Sequence, residues 1–168
     1  MPLNTNIDVN IKGLLTGTND IGDITANLAR NFGAAWGSGT GAGQADLVWG
    51  DTNTLAASAN TDIDLAGVLT NPLGGTLTFV RIRAILVIAA AGNTNNVVVG
   101  GAAATQFIGP FGAATHTVAV KPGGMFMVVA PDATGWAVAA GSTDLLRVAN
   151  SAGGTGVDYS IMIVGASA

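Results

Sequence analysis

The chain has 168 residues, 49% of them apolar, with 25 glycines, no cysteine and a formal net charge of −4. One domain is expected at this length, with room for an appended arm. The lack of cysteine excludes a disulfide framework, a thiolate metal site and a thiol nucleophile. The acidic balance, without a basic cluster, argues against a duplex nucleic acid held through its phosphates.

Charged residues make up only 10%, against roughly 25% in an average soluble domain. Every acid is Asp, and Lys occurs only at Lys12 and Lys121. Glu, Lys and Arg normally populate exposed helix faces, so their scarcity points away from helices. It also leaves little charge for a solvated surface, which suggests that other chains cover much of that surface.

The opening MPLNTNIDVNIK has neither the basic start nor the apolar core of a signal peptide, so synthesis in the cytosol without export is expected. Ile7, Val9 and Ile11 alternate with Asp8, Asn10 and Lys12, the period of a strand. A tract rich in Gly, Ala, Asn and Thr follows, in which the one helix expected is short, around Ile24 to Asn31. The spacing GSGTGAGQ (37–44) fits a loose dinucleotide fingerprint, but Ala34-Ala35-Trp36 before it and Gly43-Gln44 after it do not supply the required strand and helix. It reads as a flexible loop. Residues 1–55 are thus expected to form an arm whose Phe32, Trp36 and Trp49 bury against its own domain or a neighbour.

From residue 56 onward a β-sandwich domain is expected. Strands are predicted near 61–66, 76–90, 95–100, 105–108, 115–120, 125–130, 135–139, 144–149 and 157–164, with 105–108 the weakest. Turn clusters such as NPLGG (71–75), GNTNN (92–96), KPGG (121–124) and NSAGGTG (150–156) separate them. The spacing predicts an all-β, antiparallel, jelly-roll-like sandwich with a Gly/Ala-rich N-terminal arm. The apolar stretch Ala84–Ala91 has eight residues, too few for a membrane span of about 20. As a strand, 76–90 would place Val80, Ile82, Ala84, Leu86 and Ile88 on the core face. The other face would carry Leu77, Phe79, Arg81, Arg83, Ile85 and Val87. Guanidinium groups among apolar anchors resemble a subunit contact; the alternative is that both arginines cap the sheet in solvent while the arm covers the rest.

Candidate chemistry is sparse. His116 is the one histidine, flanked by Thr115 and Thr117 but without a nucleophile-elbow motif, and reads as a polar strand or turn residue. No His/Cys spacing suits zinc. Asp62 and Asp64 share one side of a strand, about 7 Å apart, beyond the roughly 5–5.5 Å of a retaining glycosidase pair; a solvent face is expected. Met125 and Met127 read as core filler, and Trp136 as a half-buried strand aromatic. No catalytic residue, cofactor or metal ligand is assigned.

The stretches AASANTDIDLAGVLTNPLGGTLTFVRIRAILVIAAAGNTNNVVVGG (56–101), FIGPFG (107–112), KPGGMFMVVAPDATGWAV (121–138) and STDLLRVANSAGGTGVDYSIMIVG (142–165) resemble small structural proteins of tailed bacteriophages. The likeness lies in the D-I-D-L-A-G strand, the G-N-T-N-N hairpin and the late D-L-L-R-V-A-N strand. It implies a virion component without catalysis: a capsid decoration (cement) protein on the capsid exterior, made in the host cytoplasm. Its implied partners are the major capsid protein and copies of itself, as a homotrimer, with no nucleic acid and no membrane. A head-fibre or tail component, or a carbohydrate- or receptor-binding jelly roll, remains open. On this reading the candidate interface residues are Phe32, Trp36, Trp49, Leu77, Phe79, Arg81, Arg83 and Ile85.

Overall fold

The computed structural model describes residues 2–67 and 69–168. Every regular element among them is a strand. In chain order these are β1 (Thr5–Asn19), β2 (Gly22–Trp36), β3 (Leu47–Leu55), β4 (Asn60–Asp64), β5 (Leu69–Thr70), β6 (Thr76–Leu77), β7 (Arg81–Ala89), β8 (Val97–Gly100), β9 (Thr117–Val120), β10 (Met125–Val129), β11 (Trp136–Ala137), β12 (Leu145–Asn150) and β13 (Val157–Ala166). One sheet runs β10-β7-β13-β3, with β11 also on β7, and the other runs β4-β12-β8-β9. All pairs within the two sheets are antiparallel.

The two sheets form a sandwich because each offers one apolar face. Ile85, Val87, Ile161 and Ile163 from the first sheet share a single core with Ile63, Val97, Leu146 and Val148 from the second. The pairs are nested: β8 lies on β9, β7 on β10, β4 on β12 and β3 on β13. Every one of these pairs straddles the segment 101–116, whose Phe107 and Phe111 plug the core. Segment 105–108 is not a strand; it makes one parallel bridge, Gln106 to Leu145.

Period two is broken once, inside β7. Ala84 stands opposite Val164 while Ile82 stands opposite Gly165, so Arg83 is the extra residue of a bulge. The expected face assignment is therefore corrected. Beyond the bulge it is Ile85, Val87 and Ala89 that enter the main core, and Ala84, Leu86 and Ile88 that face outward. Before it, Leu77, Phe79 and Ile82 are all buried in the core.

The N-terminal segment is also corrected in two respects. Residues 24–31 are strand, not helix: β1 and β2 pair along their whole length as one hairpin, closed by Asp20 and Ile21 between Asn19 and Gly22. The Ile21 amide donates to the Asn19 side chain (2.9 Å) and Gly22 takes a positive φ of 131°, which makes the short connection possible. The boundary at residue 55 also moves, since β3 is an integral strand paired with β13 from Leu47 to Leu55. The hairpin ends at Trp36.

Candidate functional site

In a strand pair, directly opposed residues share a face, and the β1–β2 register makes this hairpin two-faced. One face carries Ile7/Ala34, Val9/Phe32, Ile11/Arg30, Gly13/Leu28, Leu15/Ala26 and Gly17/Ile24. The other carries mostly Asn, Thr, Asp and Lys12, with Leu14. An isolated hairpin needs something to bury its apolar face, and only the base of this one finds it. Ile7, Trp36, Ala34 and Val9 pack with Ala84, Val164, Val48 and Val129 on the outer face of the first sheet. Past Phe32 the apolar face is bare, with Leu28 72% and Leu15 70% exposed.

The outer face of the first sheet is apolar beyond that contact too. The row Met127–Leu86–Met162 and the pair Met125–Ile88 continue it, as the register aligns them. Met125 is 59% and Met162 48% exposed. A groove of about 410 Å³ lies between this face and the base of β1, lined by Ile7, Val9, Leu86, Met125, Met127 and Met162 among others. The methionines expected as core filler are thus partly surface residues. Their alternation was visible in GMFMVV; which side it faced depended on the Arg83 bulge.

Most of the eight residues expected at an interface lie inside the chain. Trp49, Leu77, Phe79 and Ile85 belong to the main core, and Trp36 is sealed under the hairpin base. Only Phe32, 44% exposed, and the half-buried Arg81 reach the surface. Arg83 is 1% exposed. Its Nη2 donates to the carbonyls of Thr40 (2.7 Å), Gly41 (3.1 Å) and Ala133 (3.0 Å), and Arg81 Nη1 also reaches Ala133 (2.9 Å). Burial, then the neighbouring Arg81 charge, holds the Arg83 guanidinium below its ordinary pKa, while Asp132 pulls it back up. Arg83 therefore ties loop 37–44 and loop 131–135 to the sheet. The glycine-rich 37–44 segment serves this tie, folding around Gln44, whose side chain accepts from the Gly41 amide (3.0 Å).

His116, Asp62 and Asp64, the other polar residues weighed as candidates, have local partners. The exposed His116 places Nδ1 2.7 Å from the Phe111 carbonyl. Asp62 forms a two-pronged pair with Arg147 across β4 and β12, at 2.7 and 2.8 Å, and Asp64 accepts from the Ala66 amide (3.1 Å). Among the described residues, no group of three or more His, Cys, Asp or Glu gathers to hold a metal. No family model, curated protein or solved structure matches the chain.

Proposed function

We propose that this chain is a non-enzymatic virion structural protein of the tailed-phage kind, a capsid decoration protein that bridges neighbouring major capsid subunits from outside the shell. The observation that carries the reading is the two-faced hairpin, apolar on one side and bare beyond Phe32, anchored by its base to a rigid sandwich. Exposed apolar surface of this extent marks a contact with another chain. An arm of this form spans a boundary between subunits while the sandwich covers it, adding buried area at each junction. The scarcity of charge supports a surface that ends up covered. The nested strand order, with its strands dealt between two sheets, supports the jelly-roll reading, an architecture common to viral capsid and lectin domains.

The reading is tested by immunogold labelling of intact virions of the encoding phage with antibody to the sandwich. Label distributed over the head is expected. Label on the tail or on head fibres would move the protein to the alternative virion roles, and virions without label would overturn a structural role altogether. A hairpin shortened by replacing Ile11–Arg30 with Asn-Gly is expected to fold and to lose binding to undecorated shells.

A further inference from the structure

The bare part of the hairpin and the bare part of the outer sheet face are two halves of one contact. We infer that the distal hairpin of one copy docks, apolar face down, on the Met125–Ile88–Met162 surface of a second copy. This deepens the structural-protein reading by naming the partner of the arm.

The contact is already present in miniature within one chain. The base of the same hairpin, through Ile7 and Trp36, packs on Ala84 and Val164 of the same sheet. The half-buried Met127 and Leu86 with the exposed Met162, then the exposed Met125 and Ile88, directly continue that seat. The base of the chain's own hairpin borders this surface across the groove without filling it, while the strands continue paired without a break out to Asn19/Gly22. From Val9/Phe32 to the tip it extends about 34 Å at about 3.4 Å per residue. That is enough to cross the face of a neighbouring sheet whose four strands lie about 4.8 Å apart.

Area and charge agree with this partner. A two-stranded ribbon about 10 Å wide and 34 Å long presents about 350 Å² on one face. In a two-fold exchange, where a chain gives one arm to a partner and receives one from it, about 700 Å² of its surface is covered at a single interface, close to the roughly 800 Å² per partner of a stable one. A ring divides the same area between two weaker interfaces. Arg30 is the one charge among the described residues of the hairpin's apolar face, opposite Ile11. Asp158, exposed on β13 opposite Thr54 and bonded to its hydroxyl (2.5 Å), is the one acid among the described residues on the strands of the outer sheet face. Arg81, at the other end of that face, is held by the Ala133 carbonyl. Giving and receiving surfaces differ, so the contact closes either heterologously as a ring or, used twice about a two-fold axis, as a reciprocal exchange.

The test is native mass by light scattering on the full chain from submicromolar to about 100 µM, the range in which interfaces of this size associate. The expected result is an oligomer, near three times 16.5 kDa for a trimer. Arg30→Glu alone and Asp158→Lys alone are each expected to weaken association tenfold or more, and the two together to restore it. A monomer throughout that range, or an oligomer indifferent to both reversals, overturns the inference. Position is read separately, because the chain has no cysteine of its own. A Leu28→Cys chain mixed with a Met162→Cys chain is expected to give a covalent dimer with a short bismaleimide, and no dimer in the mixture overturns the proposed seat. Either failure leaves the virion reading intact, since immunogold labelling does not depend on self-association.

Discussion

Arg83 and Arg81 are two residues apart, yet the chain uses them differently. Arg83, itself buried, gathers carbonyls from two loops that are remote in sequence, and its removal leaves the partly buried Thr40 and Gly41 carbonyls without this donor and opens a void. Arg83→Ala is therefore expected to cost about 3 kcal/mol, and Arg81→Ala about 1 kcal/mol or less, read from urea unfolding midpoints. That Arg83 is unusual was legible, since a guanidinium in an apolar strand needs partners. What those partners are was not, because Thr40, Gly41 and Ala133 contribute backbone oxygens that carry no side-chain signature. Tyr159 gives a second residue-scale expectation. Burial, then the Asp51 charge, pushes its phenol up to about 12, while Asn53 opposite draws it slightly back. Below about pH 10 both folded and unfolded chains hold the proton, and the contribution of this group is fully present. Between about 10 and 12 the unfolded chain releases it first, so stability falls, by about 2–3 kcal/mol in all. Unfolding midpoints measured across that window should drop in the wild type and drop less in Tyr159→Phe.

At the scale of elements, the bulge in β7 decides which rows meet the core. It depends on Gly165, where a methyl group would overlap the Arg81 carbonyl and the Phe79 ring. Gly165→Ala is expected to destabilise by about 1–3 kcal/mol. Gly17→Ala on the open hairpin, where nothing lies within 4 Å, is expected to be neutral or to stabilise by about 0.5–1 kcal/mol; chemical denaturation of both variants makes the comparison. Most strands from β4 onward were readable from alternation and turn residues; the two-residue β5, the break between β6 and β7, the non-strand 105–108 and the face reversal that one extra residue imposes were not. The hairpin was not. Ile24 and Leu28 stand four apart, the spacing of a helix face, and only their partners Gly17 and Gly13 on β1 show them to be strand neighbours. β3 was hidden for a related reason. As an edge strand it alternates weakly, with Asp51 and Asn53 on the side of Trp49 and Leu55, so its membership follows from β13 rather than from its own composition.

For the whole molecule, the sandwich and the distal hairpin are separable in energy though joined in chain. The base contact through Ile7, Val9, Ala34 and Trp36 seals Ala84 and Val164, so it belongs to the stability of the fold. The distal half touches nothing that the sandwich needs. Replacing Ile11–Arg30 with Asn-Gly should leave the thermal midpoint of the monomeric unit within about 3 °C of the parent. Trp36→Ala should lower it by far more, through about 3–5 kcal/mol of lost packing. Differential scanning calorimetry at submicromolar concentration separates the two, because association is then minimal. The all-β class was legible from composition together with alternation: few charges, no Glu, only two Lys, and short period-two runs between turn residues. The docking surface was not, since one half follows from the hairpin register and the other from sheet pairings between segments remote in sequence, such as Met125 with Ile88 and Leu86 with Met162.

The nesting of the four strand pairs also imposes an order in time. Closing β8 on β9 leaves only residues 101–116 to loop out, whereas joining β3 to β13 brings Leu55 against Val157. Loop-closure entropy favours the inner pair first, and each closure shortens the effective loop for the next. The chain therefore zips outward from its middle, reaching native pairing in about milliseconds to seconds, as non-local β topologies do. The β1–β2 hairpin stands outside this sequence, since its two strands meet through a two-residue connection and form on the microsecond scale. A nascent or refolding chain thus samples its arm, marginally stable by itself, before it has the sheet on which the base of that arm rests. During that interval the arm is sticky at both ends, and dilution during refolding governs how many chains finish alone.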